Sequence, residues 1–204
     1  MTGQGRFIVF EGGDGVGKST HTALLARRLT KQGRSVCRTF EPGDSPLGRQ
    51  LRQLLLDPTS DVTPRAEALL YAADKAQHVE TVIKPALVRG DVVLCDRYVD
   101  SMIAYQGAGR ALDPKQVADL AWWGAGNLTP DLTVVLDVPF DQALGEKVGH
   151  DRLEQAGRPF HERVRAFFLD QAAADPDHYV VIDARQDQEV VAAEIWARVE
   201  SLLS

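Results

Sequence analysis

The sequence contains few cysteines and no long apolar run, and both shortages exclude whole classes of protein. Only two of its 204 residues are cysteines, Cys37 and Cys95, and they lie far apart in separate apolar segments. Two isolated cysteines provide neither a disulfide framework nor the paired spacing of a zinc site, so we interpret them as reduced structural thiols. No stretch reaches the roughly 20 apolar residues of a membrane span, and the first residues, MTGQGR, contain no apolar signal core. We therefore expect a cytoplasmic protein with no membrane partner.

An excess of basic charge is also missing. Lysine and arginine number 23 against 29 aspartate and glutamate residues, which gives a net charge of −6. A negative surface repels the phosphates of nucleic acid, so we expect no nucleic-acid partner, although a local basic pocket remains compatible with this total. The five histidines have no metal-ligand spacing, and we assign none of them to a metal. The length fits a single domain covering residues 1–204.

The strongest motif present is a phosphate-binding loop, GGDGVGKST, at positions 12–20. The fingerprint G-x-x-x-x-G-K-[ST] is matched at four positions, namely Gly12, Gly17, Lys18 and Ser19. The loop follows an apolar run at 7–10, which predicts a buried strand, and it precedes a predicted helix at about 18–32. Glycines let consecutive backbone N–H groups turn toward a polyphosphate, and the helix N-terminus adds partial positive charge. The sequence therefore predicts a site for a nucleoside triphosphate.

The individual loop residues have predicted roles in this site. The residues predicted to bind ATP are Gly12, Gly13, Asp14, Gly15, Val16, Gly17, Lys18, Ser19 and Thr20. Lys18 is expected to reach the terminal phosphates, and the hydroxyl of Ser19 is expected to bind Mg²⁺.

Strands and helices alternate along the rest of the chain. The predicted strands after the first lie at 35–40, 91–95, 132–138 and 178–182, with predicted helices at 18–32, 46–56, 64–89, from 114, 159–174 and 188–203. Pro85 is expected to bend or break the long helix at 64–89. This alternation, with the phosphate loop after the first strand, predicts a three-layer, doubly wound P-loop fold of the α/β class with a five-stranded parallel sheet. A polar, glycine-containing segment at about 145–158 predicts a mobile lid.

Charged residues follow the second and third predicted strands. Glu41-Pro42-Gly43 comes after the second strand, and Asp96-Arg97-Tyr98 comes after the third. Ligands of open α/β sheets bind beyond the carboxyl ends of the strands, so these residues should lie beside the phosphate loop. A carboxylate there can hold Mg²⁺, which makes Asp96 the predicted partner of Ser19 at the metal. The planar fork of Arg97 suits a phosphate, so we expect a site for two phosphate-bearing ligands.

Six motifs together make the chain resemble the thymidylate kinase family. They are FEGGDGVGKST, EPG, LLYAADKAQHV, DRYVDSMIAYQGAGR, PDLTVVLDV and DRLE, and AYQG after DRY is the most family-specific. The similarity extends from position 7 to about 183. This resemblance implies an ATP-dependent transferase of nucleotide biosynthesis that phosphorylates dTMP to dTDP. It also implies Mg²⁺ as cofactor, ATP and dTMP as substrates, and a homodimer.

The resemblance further implies which residues perform the reaction. The catalytic residues would be Lys18, Arg97, Asp14 and Arg152. Arg152 would close over the donor phosphates as part of the lid. The residues implied to bind dTMP are Glu41, Tyr71, Lys75, Arg97, Ser101, Tyr105 and Gln106. Within this set, Tyr71 would stack on the thymine ring, and Tyr105 would crowd out a ribose 2′-hydroxyl.

Several positions depart from the family pattern. Lys75 and Phe40 stand where the family usually has arginine, and Gly15 replaces an arginine that one branch carries in its phosphate loop. The lid run at 145–152 offers only Lys147 and Arg152 as cations, and the arginines that follow it are Arg158, Arg163 and Arg165. Two alternatives therefore stay open: a kinase of another deoxypyrimidine monophosphate, and a catalytically weakened nucleotide-binding module.

Four further residues have no motif to support a role in catalysis. We interpret Trp122 and Trp123 as core residues or subunit contacts, and Asp137 as a structural acid at a strand end. Arg185 follows the fifth predicted strand and is a candidate border of the adenine site.

Overall fold

A single parallel sheet forms the centre of the molecule, in a computed structural model that describes residues 5–109, 112–143 and 157–203. Its strands are β1 (Arg6–Gly12), β2 (Val36–Phe40), β3 (Val92–Asp96), β4 (Leu132–Asp137) and β5 (Tyr179–Asp183). They pair in the order β2-β3-β1-β4-β5, and every pair is parallel. The predicted five-stranded α/β fold is confirmed.

Helices connect the strands and cover both faces of the sheet. Those in the described ranges are α1 (Lys18–Lys31), α2 (Pro46–Leu56), α3 (Pro64–His78), α4 (Lys84–Val88), α5 (Val99–Met102), α6 (Pro114–Gly124), α7 (Phe140–Ala143), α8 (Arg158–Ala174) and α9 (Gln188–Leu203). Two π-helical segments, Val79–Ile83 and Ile103–Gly109, follow α3 and α5. Of the helices in this part of the chain, none combines the length and apolarity needed to cross a bilayer.

The long helix predicted at 64–89 is interrupted, as expected from Pro85. Regular α-helix ends at His78, the π-helical segment Val79–Ile83 follows, and α4 begins at Lys84 with the proline in its first turn. Proline has no N–H to donate and its ring crowds the preceding turn, so the hydrogen-bond ladder has to change there. The wider π turn just before the proline is where that change occurs.

The central strand β1 contributes to a core on each face of the sheet. Phe7 and Val9 belong to one apolar cluster, and Ile8 and Phe10 belong to another. Alternate side chains of a strand point to opposite faces, and a sheet covered by helices on both faces needs apolar residues at every position. This explains why the run FIVF is continuously apolar. The predicted lid at about 145–158 lies almost entirely outside the described residues, and so do Lys147 and Arg152.

Candidate active site

The register of the sheet brings three strand ends to one level. Phe10 of β1 pairs with Asp96 of β3, and Asp96 also pairs with Phe40 of β2. The backbone continues this alignment, because Arg97 N–H donates to the Phe10 carbonyl at 2.9 Å and Glu41 N–H donates to the Asp96 carbonyl at 3.0 Å. The segments following β1, β2 and β3 therefore lie side by side, as the strand-end argument predicted.

The phosphate loop depends on glycine where it leaves β1. Gly12 has a φ angle of 130°, and a Cβ atom there would collide with the backbone carbonyl of Leu136 on β4. Gly17 has a φ angle of 95° and caps α1 without any side-chain hydrogen bond to the helix. Left-handed backbone is readily adopted by glycine alone, so these positions require it. The uncapped N–H groups of α1 leave this end of the helix suited to an anion.

Lys18 lies folded back onto the loop that precedes it. Its ammonium group donates to the carbonyl oxygens of Gly12 at 3.1 Å and Gly13 at 2.5 Å. Burial, with a contribution from the nearby Arg97 guanidinium, lowers the pKa of Lys18 to about 8. Among the described residues, the direct partners of the ammonium are these two backbone carbonyls, and a phosphate placed in the loop would offer it a charged partner.

Arg97 connects the phosphate loop to the segment after β3. Its guanidinium donates to Asp14 Oδ1 at 2.5 Å, to Ser101 Oγ at 3.0 Å and to the Gly12 carbonyl at 3.3 Å. It also lies 5.0 Å from the centre of the Tyr105 ring. The backbone of Arg97 has a φ angle of 69°, an uncommon conformation for a residue with a side chain, which turns it from the strand toward the loop.

Asp14 is the anionic partner in this arrangement. Burial alone raises the pKa of its carboxyl, but Arg97 and Lys18 outweigh burial and lower it to about 2. The Tyr105 hydroxyl donates to the second carboxylate oxygen of Asp14 at 3.1 Å. The predicted catalytic residues Lys18, Asp14 and Arg97 are thus brought together, whereas Arg152 lies outside the described residues.

Sequence reasoning missed Glu11, although it precedes the phosphate loop directly. Its fully buried carboxylate accepts hydrogen bonds from the Tyr98 N–H at 2.8 Å, the Ser101 N–H at 3.1 Å and the Ser101 hydroxyl at 2.5 Å. Burial, followed by the nearby Asp100 charge, raises its pKa to about 7. A glutamate within a run of buried strand residues was the available signal, because buried carboxylates are rare without dedicated partners.

Ser19 and Asp96 meet at the opening of the loop. The Ser19 hydroxyl donates to Asp96 Oδ2 at 2.7 Å. A hydroxyl beside a carboxylate is a suitable oxygen donor set for Mg²⁺, which keeps several waters and takes few protein ligands. No group of three or more histidine, cysteine, aspartate or glutamate side chains suited to a metal occurs within the described ranges. The two predicted residues therefore fit an ion held partly by substrate phosphates.

The residues implied to bind the nucleoside lie at differing depths. Tyr105 and Gln106 are buried, with Tyr105 packed edge-on against Phe160 and Gln106 donating to Glu67 Oε1 at 3.0 Å. Tyr71 is half-buried and packs against two of the apolar clusters. These positions lie along α3 and the second π-helical segment, which contact each other.

Glu41 and Lys75 form a buried ion pair. Lys75 Nζ donates to Glu41 Oε2 and lies 4.5 Å from the centre of the Tyr98 ring, and the residue is only 1% exposed. The ammonium of Lys75 is therefore already bonded to a carboxylate of the protein. Two neighbours on α3 were not predicted from the sequence: Asp74 accepts from the Gly43 N–H at 3.1 Å, and His78 Nδ1 lies 2.8 Å from Glu41 Oε1.

A cleft of about 520 Å³ borders the phosphate loop and the segment after β5. Residues from the loop, from α1 and from the segment after β5 line it, including Gly15, His21 and Arg185. Arg185 forms a bidentate pair with Asp183, at 2.8 and 2.6 Å, and donates to Gln142 Oε1 at 3.2 Å. The interpretation of Arg185 as a border of the donor-base site is thus compatible with its position.

Two of the arginines that follow the lid are paired with carboxylates. The guanidinium of Arg165 donates to both carboxylate oxygens of Asp137, at 2.6 and 2.7 Å. Arg158 binds Asp141 at 2.9 Å and Glu162 at 2.6 Å. The bidentate contact agrees with the structural role predicted for Asp137.

Comparison with known proteins identifies the family. The thymidylate kinase family model matches residues 10–195. A thymidylate kinase of Cutibacterium acnes is 55% identical over 201 residues, covering 98% of each chain, and one of Clavibacter sepedonicus is 54% identical over 206 residues, covering 98% of this chain and 97% of its own. The crystal structure of thymidylate kinase from Ehrlichia chaffeensis matches with a TM-score of 0.79 at 31% identity, over 97% of this chain and 99% of that one. The chain belongs to the thymidylate kinase family.

Proposed function

We propose that the two halves of this site divide the reaction, with the phosphate loop holding ATP and the network around Arg97 holding dTMP. As a thymidylate kinase, the chain transfers a phosphate from ATP to dTMP and forms dTDP and ADP. The observation that carries the assignment of residues is the position of Arg97. Its guanidinium contacts the loop at Gly12 and Asp14 and, on the other side, Ser101.

Residues 12–20 bind the donor in this proposal. Lys18 exchanges its backbone carbonyl partners for the terminal phosphates of ATP, and the free N–H groups at the start of α1 add donors aimed at the same phosphates. The cleft beside Gly15 and Arg185 takes the donor base and sugar. Arg152 closes over the donor phosphates from the lid.

The acceptor lies on the opposite side of Arg97. Tyr71 stacks on thymine, and Tyr105 blocks a 2′-hydroxyl. Ser101 and Gln106 line the part of the pocket that holds the base and the sugar. Glu41 lies beside the acceptor, and we propose that Lys75 acts on dTMP through Glu41, because its ammonium is bonded to that carboxylate.

The chemistry requires placement and charge neutralisation more than a base. An oxygen of the dTMP phosphate attacks the γ-phosphorus of ATP, and the bond to ADP breaks in line. The acceptor is already an anion, so no residue has to remove a proton from it. Arg97 and Lys18 neutralise the charge that collects between the two nucleotides. Ser19 and Asp96 would hold Mg²⁺, which screens the donor phosphates when bound.

We also propose a homodimer of single-domain subunits that works in the cytoplasm. α3 packs against α2 and α6, and each of the three carries an exposed large apolar residue: Leu54 at 52%, Leu69 at 53% and Trp123 at 77%. Trp122, by contrast, packs against the core. Exposed apolar side chains on adjoining helices suit a subunit contact.

Light scattering tests the dimer. The wild-type protein should have twice the mass of one chain, and Trp123→Ser should shift it toward monomer. A monomeric wild-type protein would reject the dimer.

A panel of acceptors tests the proposed function. Purified protein with ATP and Mg²⁺ is assayed for ADP release with dTMP, dUMP, dCMP, UMP, CMP, AMP and GMP. We expect strong preference for dTMP. Preference for another acceptor would reassign the pocket while keeping the donor site. Binding of ATP without transfer to any acceptor would indicate a weakened nucleotide-binding module instead.

A further inference from the structure

A histidine that the reaction does not use lies beneath the Glu41-Pro42-Gly43 turn. His78 ends α3 and is 0% exposed. Its Nδ1 atom lies 2.8 Å from Glu41 Oε1, and its Nε2 atom lies 2.5 Å from Thr39 Oγ1. Both ring nitrogens are therefore engaged, one on each side of the ring.

The ring is one link in a chain of buried contacts. The Thr39 hydroxyl donates to Asp44 Oδ2 at 2.6 Å and lies beside Nε2 of His78. On the other side of the ring, burial raises the pKa of the Glu41 carboxyl, but Lys75 and His78 outweigh burial and lower it. Glu41 is therefore an ionised acceptor, and the ring bridges it to Thr39.

The Glu41 carboxylate depends on its partners because it is buried. Glu41 is only 7% exposed, and burial by itself disfavours the charged form of its carboxyl. An ionised carboxylate that loses a buried hydrogen-bond partner is costly to keep buried.

The contacts link the ring to the geometry of the reaction site. Glu41 has one oxygen bonded to Lys75 and the other to His78. The backbone of the same residue donates to the Asp96 carbonyl, directly before Arg97. The turn is therefore held by Lys75 and His78 and joined at its edge to the segment that contains Arg97.

We propose that His78 is a positioning residue: a buried ring that, with Lys75, holds both oxygens of Glu41 and so fixes the turn beside the acceptor phosphate. This rests on the proposed placement of dTMP next to Glu41. His78 acts through Glu41 and does not bind either nucleotide itself. Removing the ring should weaken dTMP binding and leave ATP binding intact, because the ring contacts the turn after β2 and not the phosphate loop.

Calorimetric titration tests the positioning role without any turnover. The wild type and His78→Gln are each titrated with dTMP and, separately, with ATP. We expect the Kd for dTMP to rise about tenfold or more in His78→Gln and the Kd for ATP to stay within about twofold. Thr39→Val, which removes the hydroxyl beside Nε2, should raise the Kd for dTMP less. An unchanged Kd for dTMP in His78→Gln would overturn the proposal.

Steady-state kinetics tests the positioning role. In His78→Gln we expect the KM for dTMP to rise about tenfold or more, as loss of a buried charge-assisted hydrogen bond implies. The KM for ATP should stay within about twofold. Thr39→Val serves as a second variant if the first does not fold, with a smaller rise in the same constant. The matched control is His178→Gln, which changes an exposed histidine that is paired with Asp175 directly before β5 and should alter neither constant.

The results separate the proposal from the proposed function. An unchanged KM for dTMP in His78→Gln, or equal rises for dTMP and ATP, would overturn the positioning role. Failure of the proposed function would instead appear as absent dTMP turnover in the wild-type protein, and the titrations would still compare dTMP binding in the two proteins.

Discussion

In the proposed division of the site, the donor and acceptor halves are built by different means. The donor half is nine consecutive residues, 12–20, whose shape depends on glycine backbone and on the start of α1. The acceptor half collects side chains from β1, the turn after β2, α3 and the segment after β3, which are joined by buried hydrogen bonds and ion pairs. A site shaped by its backbone should lose affinity when a side-chain atom is added to it. A site built from side chains should lose affinity when a charge or a hydrogen bond is removed.

The largest effect should come from removing the residue that joins the two halves. Arg97→Ala deletes the cation between donor and acceptor, and we expect kcat to fall by about 10³-fold or more, as for other arginines that act on a transferring phosphate. Turnover is measured by ADP release at saturating ATP and dTMP. Arg198, a partly buried arginine on α9 that donates to the backbone carbonyls of Pro176 and Asp177, provides the control, and Arg198→Ala should keep full activity. Near-normal turnover of Arg97→Ala would remove Arg97 from the mechanism.

A smaller but still large loss should follow from adding one carbon to the donor half. Gly12→Ala places a Cβ against the Leu136 carbonyl at a φ angle of 130°, so we expect the affinity for ATP to fall about 100-fold. Gly33→Ala is the matched control, because its φ angle is 79° but nothing lies within 4 Å of the added Cβ. Calorimetric titration with ATP compares the two. Equal affinities in both variants would show that the close approach to β4 is unimportant.

Selectivity for the sugar should change by about tenfold when the Tyr105 ring is removed. In Tyr105→Ala the space that excludes a 2′-hydroxyl opens, whereas Tyr105→Phe keeps the ring and loses only the hydrogen bond to Asp14. The ratio of kcat/KM for dTMP to that for its ribose counterpart should drop in the alanine variant and hold in the phenylalanine variant. An unchanged ratio in Tyr105→Ala would reject this role.

The smallest expected effect is on stability and depends on pH. Burial, followed by the Glu41 charge, raises the pKa of Asp74 to about 6 from an ordinary 3.8. The folded protein thus favours the protonated carboxyl, and that stabilisation is lost as pH rises through 6. Between pH 4 and 7 the free energy of unfolding of the wild type should fall by about 1–3 kcal/mol relative to Asp74→Asn.

Urea unfolding at several pH values between 4 and 7 measures this difference. Asp61→Asn, at an exposed position in the loop before α3, is the control and should follow the wild type. A wild-type curve parallel to that of Asp74→Asn across this range would contradict the account of Asp74.

The same contrast explains what could be predicted from the sequence. The phosphate loop was readable because its strand, glycines, lysine and helix are adjacent in the chain, and the alternation of strands and helices was enough for the fold. Glu41, Asp96 and Arg97 were predicted to lie near the loop because parallel strands end at a common edge, and the register of β1, β2 and β3 places them there.

The hydrogen-bond and ion-pair partners of the buried side chains could not be predicted. Lys75 was expected to bind dTMP because of its place in a motif, but that its ammonium is bonded to Glu41, 34 positions away, was not foreseen. Glu11 meets Ser101 across 90 positions, and His78 meets Thr39 across 39. Such pairs depend on how α3 and the segment after β3 pack onto the sheet, and a single sequence contains no local signal of that packing.

Separate binding of the two substrates to Gly12→Ala and Arg97→Ala tests the division of the site most directly. Calorimetric titrations of each variant with ATP and with dTMP yield four dissociation constants for comparison with the wild type. Our account predicts a crossed pattern, in which Gly12→Ala loses affinity for ATP but keeps dTMP, and Arg97→Ala loses affinity for dTMP but keeps ATP. Equal loss of both ligands in both variants would contradict it, because the two halves would then form one inseparable site.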